Sequence, residues 1–358
     1  MRLLNRYIFK SVISTSLVSL LVLLVLEMFF TLLKELENLG DHDYGIGEII
    51  RYLLLLLPKL AYETFPMALL VGGLLGMGAL ANGSELVVMR AAGISIVRLV
   101  WAGLRAGLVL GLVALVLGEF VSPHMERMAR DMRALARGQP VLLLGGRGFW
   151  ARDGRFYINV RSVEPGTMPD IRLSGIYVYE IGDESELISV TKVEGAHFVE
   201  GRWILYVINR SVIERERIKT ESLHSITLDS ALNPEILKVL ASDPADMPMR
   251  DLRTYIQYLE QNGLDSDPYR LAFWTKAIAP LTNLVMLLIA MPFAFGSQRS
   301  ASTGQRLLIG VLLGLVFFLA NRMLSNVVLL YGYPPVVGAA LPTAVFFGMA
   351  IFALKRVR

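Results

Sequence analysis

No cysteine occurs among the 358 residues, which excludes a disulfide, a thiolate metal site and a cysteine nucleophile. Charge is also scarce. Asp, Glu, Lys and Arg make up 18% of the chain, against 54% hydrophobic residues, where a soluble domain carries about 25% charged residues. No G-x-x-x-x-G-K-[ST] segment is present, so the chain has no phosphate loop for nucleotide, and H-E-x-x-H and G-x-S-x-G are missing too. The histidines, His42, His124, His197 and His224, are scattered without ligand spacing. The net charge of +4 says little about soluble partners. No catalytic residue, metal, bound cofactor or nucleic-acid partner is expected.

Long apolar runs are what the chain has instead. Six are long enough to cross a bilayer core of roughly 30 Å as helices, at about 8–33, 49–80, 96–121, 269–296, 305–330 and 334–354. The first is too long for the core of a signal peptide and shows no small-residue cleavage site, so it reads as a retained span. A polar insertion separates the third run from the fourth, giving domains at 1–121, 122–265 and 266–358. With the N-terminus placed inside, the inner pieces carry ten Lys and Arg, among them Arg90, Arg98, Arg299, Arg306 and Arg358, against Glu85 alone. The loop after the first span carries Glu35, Glu37, Asp41, Asp43 and Glu48 against Lys34. The positive-inside bias therefore places both termini in the cytoplasm and the insertion outside. Within the insertion, "RGFWARDGRFYINVRSV", "LSGIYVYEI" and "GAHFVEGRWILYVINRSVIE" are rich in β-branched and aromatic residues. Asp153-Gly154, Pro165-Gly166 and Glu200-Gly201 punctuate them as turns. The pattern predicts an all-β, jelly-roll-like domain, followed by a helix over 248–262.

Three groups of residues carry chemistry. "NGSELVVMRAAGIS" (82–95) is longer than a reversal needs. Ser84 suits the cap of a helix beginning at Glu85, Leu86, Val87 and Met89 suit a buried side, and Gly93 a stop. Such a helix lies on lipid headgroups or docks a cytoplasmic protein; one acid and one base, Glu85 and Arg90, favour docking over a basic cluster's membrane role. Next, Arg127, Arg130, Arg133 and Arg137 fall on one face of a helix after the third span, with Lys34 at the outer end of the first. They form either a solvated face, with Glu126 pairing Arg130, or an electropositive rim for an anionic ligand. Lys59 lies about ten residues into the second span, either paired with Glu63 or lining a cavity; Glu27 and Arg322 raise the same question, with snorkelling as an answer. Glycines at 72/76, 103/107, 107/111 and 310/314 predict close helix packing.

Four stretches, "FPMALLVGGLLGMGALANGSELVVMRAAGIS" (65–95), "GEFVSPHMERMARDMRA" (118–134), "YGYPPVVGAALPTAVFF" (331–347) and "GFWARDGRFYINV" (148–160), are similar to the lipopolysaccharide-export permease family LptF/LptG. They look nearer to its LptG branch than to LptF. The resemblance covers essentially the whole chain. It implies six transmembrane helices with a periplasmic jelly roll, in the bacterial inner membrane. It implies a heterodimer with an LptF-like permease, and an LptB ATPase dimer that uses ATP and Mg. It also implies an LptC transmembrane helix beside span one and a periplasmic bridge that receives lipopolysaccharide. Carried over, a coupling helix spans 83–91, with Ser84, Glu85, Leu86, Met89 and Arg90 as its ATPase contacts. Lys34, Lys59, Arg130, Arg133 and Arg137 fall to lipid binding. Two rivals remain: an ion-coupled secondary transporter, which calls for matching broken helices in two halves, and a membrane-anchored periplasmic adaptor that transports nothing.

Overall fold

The computed structural model describes residues 2–137, 149–153, 155–164, 172–182, 186–199, 202–213, 217–228, 244–295 and 302–356. Gly154, Pro165, Gly166, Glu200, Gly201, Arg299 and Arg358, used above as turn or topology signals, lie outside the described residues. The chain divides into two compact units, one of Met1–Arg133 with Asp267–Arg358 and one of Ala134–Ser266.

The first unit is a helical bundle. Its elements are α1 (Arg2–Leu36), α2 (Ile46–Asn82), α3 (Glu85–Ala91), α4 (Ile96–Val116), a π-helical turn (Leu117–Val121) and α5 (Ser122–Ala136). After the insertion come α7 (Asp267–Phe295), α8 (Thr303–Tyr331) and α9 (Pro335–Arg356). Six helical stretches are long and apolar enough to span a membrane, as the sequence predicts. The third does not stop at 121. The π turn carries the helix on through Ala136 without a break, so Arg127, Arg130 and Arg133 lie on a continuation of the span. Caps set two helix starts. The Glu48 carboxylate accepts from Gly45 N–H at 3.1 Å before α2. Ser302 and Gln305 bond each other's backbone reciprocally at the start of α8, the arrangement that satisfies two otherwise unpaired donors.

Packing centres on α2 and α7, whose apolar windows are mostly buried, whereas α1 and α8 leave most of theirs exposed. The glycine pairs work within the chain. Gly72 and Gly76 meet Ser16 and Thr15 of α1, Gly103 and Gly107 meet Met291 and Leu287 of α7, and Gly310 and Gly314 meet Leu74 and Met67 of α2. At Gly72 the approach is backbone to backbone: a Cβ there would stand 2.3 Å from the Ser16 Cα. The Thr15 hydroxyl donates to the Gly72 carbonyl at 2.7 Å across the same contact.

The second unit contains an antiparallel sheet and the helix α6 (Met249–Gln261), which buries Leu252, Tyr255, Tyr258 and Leu259. The strands are β1 (Phe149–Asp153), β2 (Phe156–Glu164), β3 (Arg172–Ile181), β4 (Leu187–Val199), β5 (Arg202–Ile213) and β6 (Ile218–Leu228). They are hydrogen-bonded in sequence order, β1 to β6. The inserted all-β domain is as expected. Its topology among the described residues is a single up-and-down meander rather than the crossing connections of a jelly roll, because each strand pairs with the one just before it. A crease crosses the sheet through Gly175 (φ +64°) and Val207 (φ +53°). Burial changes phase there: Leu173 and Ile176, Val193 and Ala196, and Leu205 and Ile208 are all buried at a spacing of three instead of two.

Candidate functional site

The rim predicted from Lys34, Lys59, Arg130, Arg133 and Arg137 is assembled in part. Side chains of α5, which continues α4, reach residues of α1 and α2. There Lys59 Nζ of α2 reaches Glu126 Oε1 of α5 at 2.6 Å, and Arg130 Nη2 donates to the same oxygen at 2.7 Å. Lys59 therefore meets Glu126, 67 residues away on another helix, and the Glu126–Arg130 pair is as predicted. One turn further along α5, Arg133 Nε lies 3.0 Å from Glu35 Oε2 of α1, with its guanidinium over the ring of Tyr52 at 5.3 Å. The same Glu35 oxygen accepts from the Tyr44 hydroxyl at 3.0 Å. Burial, reinforced by the Glu35 charge, pushes the Tyr44 pKa up to about 12. The carboxylates are the buried members: Glu35 is 3% and Glu126 4% exposed.

Lys34 is exposed on α1 beside Glu35, and Arg137 lies one residue past α5, in the second unit. Arg127 turns back on its own helix, donating to the Pro123 carbonyl at 3.2 Å. Thr64 donates to Glu27, which ties α1 to α2, while Arg322 is exposed on α8. What the arrangement offers is a cluster of cations from α2 and α5, laced by carboxylates from α1 and α5. Cations in that setting suit an anionic group that approaches from outside the bundle. Glu35 and Tyr44 escaped the sequence reading because a charge in an acidic loop signals topology, not burial; the i,i+4 spacing to Arg130 was the one available clue to Glu126.

At the other end of α2 lies the predicted coupling segment. The helix α3 exists but covers Glu85–Ala91. Ser84 precedes it in the left-handed region (φ 58°) and makes no side-chain cap, so its hydroxyl does not play the part expected of it. Leu86 and Met89 are buried against the bundle at i,i+3 spacing. Val87, expected on that side, is exposed together with Val88 and Arg90, because seven residues give only two inward positions. Gly93 (φ +83°) ends the segment, and Ile94 N–H reaches back to the Met89 carbonyl at 3.2 Å. Glu85 Oε1 accepts from the Tyr7 hydroxyl of α1 at 3.2 Å. On the opposite flank Arg306 of α8, counted above as a surface charge, is only 3% exposed and donates to Asn82 Oδ1 at 2.8 Å, two residues before Ser84.

The family model of the lipopolysaccharide export system permease LptF/LptG matches residues 6–356. The lipopolysaccharide export system permease protein LptG of Haemophilus influenzae is 32% identical over 357 residues, 99% of each chain. That of Escherichia coli K12 is 34% identical over 356 residues, 99% of this chain and 98% of its own. LptF of Escherichia coli K12 is more distant, 24% identical over 90% of this chain and 86% of its own. Spans, inserted sheet and a match over nearly the full length agree, and the chain belongs to the lipopolysaccharide export permease family LptF/LptG.

Proposed function

We propose that this permease is one half of an ATP-driven exporter that lifts lipopolysaccharide out of the outer leaflet of the inner membrane. In this reading both termini and α3 are cytoplasmic and the sheet is periplasmic, where it hands lipid to a bridge that includes LptC. An LptF-like chain completes the transmembrane cavity. Its similarity to this one and the exposed apolar faces of α1 and α8 support a two-permease assembly. Lys34, Lys59, Arg130 and Arg133 hold the phosphates of the sugar head, and apolar walls accept the acyl chains. Hydrolysis takes place on an LptB dimer, which supplies ATP and Mg chemistry.

The observation that carries this reading is α3. A seven-residue helix between two spans fixes itself inward by Leu86 and Met89 and turns Val87, Val88 and Arg90 outward. That is a two-sided element, attached to the bundle on one face and open to a partner on the other. Motion of an ATPase gripping the outer face passes to α2 and α4 through the inner one. Glu85→Ala is expected to weaken co-purification with the ATPase while membrane insertion stays normal; wild-type yield of the ATPase would refute the docking role. In parallel, Arg133→Glu is expected to lower photocrosslinking to lipopolysaccharide.

A further inference from the structure

We infer that Glu126 and Glu35 are exchange counter-ions: they occupy the lipid-binding cations when lipid is absent and compete with its phosphate when lipid arrives. The inference rests on the lipid-rim reading above and adds what sets the strength of that rim.

Three cations, Lys59, Arg130 and Arg133, meet two carboxylates here. One oxygen of Glu126 takes both Lys59 and Arg130, so an incoming phosphate that engages either cation must contend with a carboxylate already in place. Arg133 differs. Its Nε is 3.0 Å from Glu35, yet it makes no aligned hydrogen bond among the described residues. Charge and the Tyr52 face hold it in position. A planar guanidinium so placed is ready for two parallel bonds to a phosphate.

As structural devices these pairs are poor choices. Burying an ion pair returns little stability, and apolar residues of similar volume serve as well or better. As competitors they have a clear effect. A phosphate carrying about −1.5 to −2 charge meets one positive charge more when either carboxylate is neutralised. A transporter must release what it binds, and sites that conduct are those that bind weakly enough to let go. Because the pairs also join α5 to α1 and α2, lipid that displaces a carboxylate loosens that seam as it enters.

The test uses the full chain in lipid nanodiscs, with bis-phosphorylated lipid A as probe and dephosphorylated lipid A as control. Glu126→Gln and Glu35→Gln each keep an acceptor oxygen and remove a charge. Each is expected to tighten lipid A binding at least about tenfold, the effect of one unit charge on another at ~6 Å in an effective dielectric of ~20 after salt screening. Release should slow by a similar factor, and the dephosphorylated control should not respond. Lys59→Met, which removes a binding cation, is expected to weaken lipid A binding, and Glu35→Gln carries the test where Glu126→Gln alone folds poorly. Unchanged or weaker binding by stably folded Gln variants overturns the exchange role. If Arg133→Gln also leaves lipid A binding untouched, the rim reading itself falls; if it weakens binding, only the exchange role is lost.

Discussion

Gly78→Ala is the sharpest probe of how α8 is fastened to the end of α2. A Cβ at position 78 would stand 2.2 Å from Arg306 Nη1, 2.7 Å from Cζ and 2.8 Å from Cδ. The helix needs a glycine there only because the guanidinium lies across it. Alanine must push the side chain away and break its 2.8 Å bond to Asn82. A hydrogen bond from a charged group contributes about 1.5–3 kcal/mol, while alanine regains about 1 kcal/mol of helix propensity over glycine. Gly78→Ala is therefore expected to destabilise by about 1–2 kcal/mol despite its better propensity. In an Arg306→Ala background the obstacle is gone and only the propensity remains, so the same substitution should stabilise by about 1 kcal/mol. A double-mutant cycle of denaturant unfolding in detergent micelles measures both. A substitution with the same sign in the two backgrounds would refute the reasoning, whatever its size. Asn82 precedes Ser84 by two residues, so if α3 couples to an ATPase as proposed, the destabilised single variant should also move less lipid per ATP hydrolysed.

Gly72→Ala should be the most damaging small substitution in the bundle, at about 3 kcal/mol or more, because its Cβ meets the Ser16 backbone at 2.3 Å and neither helix can yield. Gly310→Ala, which meets the side-chain ends of Leu74 at 2.9 Å and Val71 at 3.2 Å, should be better tolerated in the same unfolding assay. Val207→Gly should be neutral or stabilise by up to about 1 kcal/mol, since a β-branched residue at φ +53° sits in a region costing about 1–2 kcal/mol; hydrogen exchange of the β5 amides would show it, with Val212→Gly as the destabilising contrast. Tyr44 holds its proton more tightly in the folded chain than when unfolded. Its contribution is thus full below pH 10 and lost as pH rises towards about 12. Tyr44→Phe should flatten that alkaline limb in a pH series of unfolding midpoints.

The bundle was legible because membrane spans are announced by length and apolarity alone, and the sheet because its strands are β-branched runs between turns. Strand order was not. Nothing in alternating residues tells a meander from a jelly roll, and the crease at Gly175 and Val207 breaks the alternation itself by shifting burial to a spacing of three. The two-sidedness of α3 was readable except at its edges: Leu86 and Met89 face inward as their spacing requires, but Val87 does not, because apolarity says that a side chain can be buried and not that it is.

Charge proved the least legible property, for one physical reason. A topology count treats every ionisable side chain as solvated, so Glu35 entered as an outer acid and Arg306 as an inner base. Both are nearly buried, and each joins a helix from one end of the chain to residues far away: Glu35 to Arg133, Arg306 to Asn82. A positive-inside count is insensitive to one or two such residues because it sums many, whereas a site depends on a few. In a chain with so little charge, an ionisable group near the end of a span has two roles to choose between, facing water or meeting a partner across the bundle. Which one it takes is decided by whether a charge or a hydrogen-bonding group on another helix lies within reach, as Arg133 does for Glu35 and Asn82 for Arg306, a relation between elements that no local pattern encodes.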